Sequence, residues 1–143
     1  MVGFIELIHV LCGVSFFGLM VTSFVYISNS MRQQNPTLLR FAIKTSLLVD
    51  RFIFLILVMQ FVTGTFMVRH DQLSFHTPWI IVAYVALSLV GVIWFLLMLI
   101  KYVNRTQAHF RYQILFYFLN VLLILLFCII IHDALMQQTW FWK

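Results

Sequence analysis

Four stretches of this chain, from about Phe4 to Ser28, Leu48 to Val68, Pro78 to Ile100 and Gln113 to Leu135, are almost continuously apolar. Each reaches the roughly 20 residues, at about 1.5 Å rise, that a helix needs to cross a hydrocarbon core about 30 Å thick. None alternates as a barrel strand does, and a backbone in lipid must satisfy its own hydrogen bonds, so helices are the spanning solution. The expected fold is an all-α membrane protein, an antiparallel bundle of four transmembrane helices forming one domain over residues 1–143.

Composition excludes the soluble alternatives. The 143 residues are 64% hydrophobic and 9% charged, with a mean hydropathy of +1.04, against about 25% charged in a typical globular domain. No soluble fold of this size hides that much apolar surface, and neither disorder nor nucleic-acid binding suits such a chain. Two Cys define no disulfide framework. No Lys or Arg precedes the first apolar run and no small-residue cleavage site follows it, so that run reads as a permanent helix rather than a signal peptide.

The expected links are uneven. Asn29 to Leu47 is long and basic, with a short interfacial helix starting after Pro36; Arg69 to Thr77 is tight; Lys101 to Tyr112 is basic again. Pro78 fits the first turn of the third helix, where a missing N–H costs nothing. Arg32, Arg40, Lys44, Arg51, Lys101, Arg105 and Arg111 fall on one side, and Arg69 and Lys143 on the other, a bias of seven to two. The positive-inside rule then places both termini outside, which is the periplasm for a bacterial inner membrane. Trp79, Trp140 and Trp142 would form the outer aromatic belt, with Tyr102 and Tyr112 at the inner interface.

That orientation gives the histidines a pattern. His9, His70, His76 and His132 share the outer side, and His109 alone lies inside. Antiparallel packing could bring the four together in the outer third of the bundle. On helix one, His9, Cys12, Ser15, Thr22, Ser23 and Tyr26 fall within an arc of roughly 140° at ~100° per residue, an expected inward face. Gln60, Thr63, Gly64, Met67 and His70 share an arc of helix two, where small residues admit a close neighbour. Tyr84, Ser88 and Gly91 do so on helix three, and Cys128 lies one turn before His132.

Two kinds of ligand suit this set. A b-type haem needs one or two inward imidazoles from different helices and a slot of small and aromatic residues, with its propionates near a group such as Arg69. His9 with His132, or His9 with His70 or His76, is a suitable pair. A copper or zinc site would instead use His9/Cys12 and Cys128/His132, each pair on one helix face, with Met67 and Met136 as soft donors. Plainer roles compete. His70 and His76 are solvated link residues beside Asp71, His132 is an interfacial neighbour of Asp133, His9 bonds Glu6 three residues earlier, and Asp50 pairs with Arg51. The basic links would meet anionic headgroups. Hydrolase, kinase and transferase signatures are missing, and few intramembrane charges weaken channel and transporter readings.

LIHVLCGVSFFGLM in helix one resembles the first helix of small membrane proteins grouped with CopD-like copper-resistance proteins and HemJ-type protoporphyrinogen oxidases. VDRFIFLILVMQFVTGTFM, HTPWIIVAYVALSLVGVIWF and FRYQILFYFLNVLLILLFCIII are similar to the remaining helices of an uncharacterised four-helix branch of that group. The resemblance implies a four-helix bundle and a b-type haem, with His9 as a candidate ligand. HemJ-type proteins carry a Lys early in the third helix that is taken to be functional, and this chain has Ala83 and Tyr84 there, a departure that counts against protoporphyrinogen oxidation and not against haem binding.

The expected function is therefore a haem b-binding inner-membrane protein of electron transfer, with His9 and His132 on the iron and quinone or another membrane complex as redox partner. The alternatives are a cofactor-free accessory subunit of a larger respiratory or transport complex and, third, copper handling. Homo- or hetero-oligomers suit all three.

Overall fold

A computed structural model describes residues 2–136. Trp140, Trp142 and Lys143, assigned above to the outer side, lie outside the described residues. Four helices follow in order: α1 Val2–Arg32, α2 Pro36–His70, α3 Pro78–Asn104 and α4 Gln113–Met136. All four are long and apolar enough to cross a membrane. The protein is an all-α, multi-pass integral membrane protein.

The long basic link is the main correction to the sequence reading. It shrinks to Gln33–Asn35, because α1 runs on to Arg32 and α2 begins at Pro36. Asn35 caps α2, its Oδ1 accepting from the Thr37 N–H at 3.0 Å and the Leu38 N–H at 3.2 Å. Pro36 takes the first turn, where its ring favours the helix. Leu39, Ala42, Ile43, Ser46, Asp50 and Ile53 then recur at spacings of three and four and are all buried, so one core-facing stripe carries the helix through the basic segment. With 35 residues, α2 is about 52 Å long at ~1.5 Å per residue, far beyond a hydrocarbon core. The turn itself needs Gln34 in the left-handed region, at φ 50°.

α3 begins at Pro78 as expected and ends at Asn104. Asn104, fully buried, closes the link to α4. Its Nδ2 donates to the Ile100 and Arg111 carbonyls at 2.8 and 3.0 Å, and its Oδ1 accepts from the Arg111 N–H at 2.5 Å.

The helices form an antiparallel ring in which α1 packs on α2, α2 on α3, α3 on α4, and α4 back on α1. The last contact rests on rings: Phe16 and Phe17 stack on Phe127 at 5.4 and 5.2 Å, and Phe24 meets Phe116 at 6.0 Å. The core is concentrated toward the basic end, around Met20, Ile27, Ile43, Trp94, Leu97 and Leu123. From Gly3 to Ser15, no α1 side chain is buried. The inward face of α1 is thus Phe16, Met20, Ile27 and Ser30; Ser15, Thr22 and Tyr26, expected on it, are exposed, while His9, Cys12 and Ser23 lie at its margin. Bulk explains the difference: in a bundle filled by dispersion contacts, Phe and Met take the interior ahead of small hydroxyls.

Candidate functional site

At the end of the bundle opposite the basic links, α1 and α2 meet through one histidine. His9 Nδ1 lies 2.8 Å from Thr63 Oγ1, and His9 Nε2 lies 3.0 Å from Gln60 Nε2. Thr63 itself is buried, and its hydroxyl donates to the Met59 carbonyl at 2.7 Å. A hydroxyl has one hydrogen, so toward His9 it accepts, and Nδ1 is the protonated nitrogen. Nε2 then holds a lone pair, which accepts from the Gln60 amide. His9 is thereby fixed as an Nε2 base, not bonded to Glu6, whose side chain is exposed.

Glycine makes this approach possible. A Cβ on Gly64 would meet His9 Cε1 at 3.1 Å, tighter than an ordinary contact, whereas one on Gly13 would meet Gln60 Nε2 at an ordinary 3.5 Å. Beside Gln60, Gly13, Phe16, Leu87, Phe127 and Ile130 bound a void of about 20 Å³, room for about one water. Gln60 Oε1 is buried and has no hydrogen-bond partner among the described residues.

The other expected ligands are spread out. On α4, His132 Nδ1 lies 2.9 Å from Asp133 Oδ1, and Asp133 is fully buried. His70 is exposed and pairs with exposed Asp71 at 3.2 Å, while stacking on Phe66 at 6.1 Å. His76 is exposed on the link, where Ser74 Oγ accepts its backbone N–H at 3.1 Å; Arg69 is exposed too. Cys12 is half-buried and Cys128 exposed, both as free thiols. Among the described residues, no three His, Cys, Asp or Glu side chains converge on a point that could hold a metal ion. Cys128 faces outward from the bundle.

A second polar cluster lies toward the basic end. Lys101 of α3 and Asp50 of α2, each side chain 2% exposed, form an ion pair with Nζ 2.5 Å from Oδ2. The Trp94 indole donates to Asp50 Oδ1 at 3.2 Å, Lys101 Nζ donates to Ser46 Oγ at 3.1 Å, and Ser46 bonds Ser23 of α1. This corrects the expected local pair: Arg51 is exposed and Asp50 turns inward. Three helices are tied at one level, and charge is tolerated there because every charged atom has a partner. Sequence reading placed Lys101 in a link. The missed signal was the register of Ser46 and Asp50 with the α2 core stripe.

A family model described as a predicted integral membrane protein (DUF2269) matches residues 4–137. No curated protein and no solved structure matches the chain.

Proposed function

The chain belongs to the DUF2269 family of predicted integral membrane proteins, and on that premise we propose that it is a haem b-binding electron-transfer protein of the bacterial inner membrane. The observation that carries this reading is the fixed tautomer of His9. A ligating imidazole characteristically donates its other N–H to a partner that sets its orientation, and Thr63 does this for His9. Asp133 plays the same part for His132. The donor chemistry therefore fits an imidazole-ligated iron, with His9 and His132 as the residues that would hold it. A bound haem would supply one-electron chemistry.

The chain's own contributions are specific. Thr63 orients His9, Gln60 covers its Nε2, and Gly64 leaves the ring room. The 20 Å³ void does not admit a porphyrin, so α1 must part from its neighbours for the group to enter. Gly3 to Ser15 of α1 has no buried side chain, so few core contacts oppose its movement. The likeness to CopD-like and HemJ-type proteins supports the same reading. In this orientation the histidine end faces the periplasm, and quinone or a membrane complex exchanges the electron.

A second reading, a cofactor-free accessory subunit, is favoured by the closed packing of His9 against Gln60. The two separate on a reduced-minus-oxidised spectrum of the purified protein. A sharp alpha band supports haem. A colourless protein that co-purifies with stoichiometric larger subunits supports the accessory role.

A further inference from the structure

A cavity lies at the basic end, remote from His9. It has a volume of about 370 Å³ and is lined by Ser30, Met31, Gln34 and Asn35 of the first turn region, Leu39 of α2, and Ala108, His109, Phe110 and Gln113 of the last link. That volume is within the range of small-molecule sites, about 300–1,000 Å³. Its walls combine both chemistries of an amphiphile. Gln34, Gln113 and His109 bring hydrogen-bonding groups, and Met31, Leu39 and Phe110 bring apolar surface.

Charge selects the sign of the occupant. The segments 29–49 and 102–131 contain Arg32, Arg40, Lys44, Arg105 and Arg111 and not one Asp or Glu. Asp50, the nearest carboxylate in sequence, is consumed by Lys101. Two of these cations are held in place: Arg105 lies 3.9 Å from the Tyr102 ring centre and Arg111 lies 5.1 Å from that of Tyr112. Asn104 also fixes the backbone of Arg111 between Phe110 and Gln113. An uncompensated positive field around a half-polar cavity attracts an anion and disfavours a cation.

We propose that this cavity binds a net-anionic phosphate group, carried by a phospholipid headgroup or by a soluble phosphate ester. The geometry suits a phosphate near the link with its apolar part along Met31, Leu39 and Phe110. In a bilayer, basic pockets between helices are suited to this chemistry. The site is independent of the haem reading, and either can fail without the other.

The test uses the full chain, delipidated in neutral detergent and followed by native mass spectrometry. The probes are phosphatidylglycerol, zwitterionic phosphatidylcholine and glycerol 3-phosphate. We expect phosphatidylglycerol to be retained at least tenfold better than phosphatidylcholine. Ala108→Trp, which fills the cavity, should reduce that retention tenfold or more, and Gln113→Leu, a milder change at the first residue of α4, severalfold. Helicity by circular dichroism shows that each variant is folded, and Gln113→Leu alone decides if Ala108→Trp is not. Competition by glycerol 3-phosphate identifies a soluble ester as the source; lack of competition identifies the headgroup. Equal retention of the two lipids with no glycerol 3-phosphate bound, or unchanged binding in the folded variants, overturns the proposal.

Discussion

Lys101 Nζ reaches Asp50 Oδ2 across the α2–α3 interface at 2.5 Å, with both side chains 2% exposed. Removing one partner strands the other charge in a medium that cannot solvate it, at a cost of roughly 3–5 kcal/mol, whereas removing both is often close to neutral. Lys101→Met should therefore lower the unfolding free energy in micelles by about that amount. The double variant Asp50→Asn/Lys101→Met, which leaves Trp94 an acceptor, should recover at least half of the loss. Strictly additive losses would show that the two charges are not coupled.

The glycines make opposite predictions. Gly91 has nothing within 4 Å of an added Cβ, but Gly64 would press one against His9 Cε1 at 3.1 Å. Gly91→Ala should gain stability, up to about 1 kcal/mol from helix propensity. Gly64→Ala should lose stability, because His9 cannot yield without lengthening its bonds to Thr63 and Gln60. Thermal melts of the two variants under identical detergent conditions check the sign of each.

Asn104 satisfies both backbone groups of Arg111 and is fully buried. Asn104→Ala removes both hydrogen bonds to the Arg111 backbone, costing roughly 1–3 kcal/mol at about 0.5–1.5 per bond. Limited proteolysis should cut the 105–112 link faster in this variant. An unchanged cleavage rate would mean that the clamp is not what orders the link.

The orientation is open to cysteine labelling in a Cys12→Ser/Cys128→Ser background. Ser74→Cys, on the link between α2 and α3, should react with a membrane-impermeant maleimide on intact cells. Gln33→Cys, between α1 and α2, should react only after permeabilisation. The reverse pattern would place the basic links outside.

Four apolar runs were enough to read the architecture, since lipid leaves the backbone few options. The ends of those runs were harder. Arg40 and Lys44 made residues 29–47 look like a link, yet Leu39, Ala42, Ile43 and Ser46 carry the α2 core stripe straight through them. Hydropathy averages charge on one face against core on the other, and the α2 cap at Asn35 is visible only when that face is separated out. The site shows the same limit. The polar arc of α2 contained Gln60 and Thr63, so a partner for His9 was legible, but which side chain would meet it depends on interhelical register. Lys101 was unreadable for that reason too, because its partner lies 51 residues away in Asp50. Small hydroxyls on α1 misled most, since Thr22 and Ser15 are exposed where Phe16 and Met20 fill the interior.

The central claim is that His9, held as an Nε2 base by Thr63, is a haem ligand. The most direct measurement is a haemin titration of the purified full chain, read by the Soret and reduced alpha bands in wild type and His9→Ala. The account predicts saturation at one haem per chain in wild type, and affinity at least tenfold weaker with an altered alpha band in His9→Ala. Binding of equal strength and spectrum in the two proteins, or no saturable band in wild type, would contradict it.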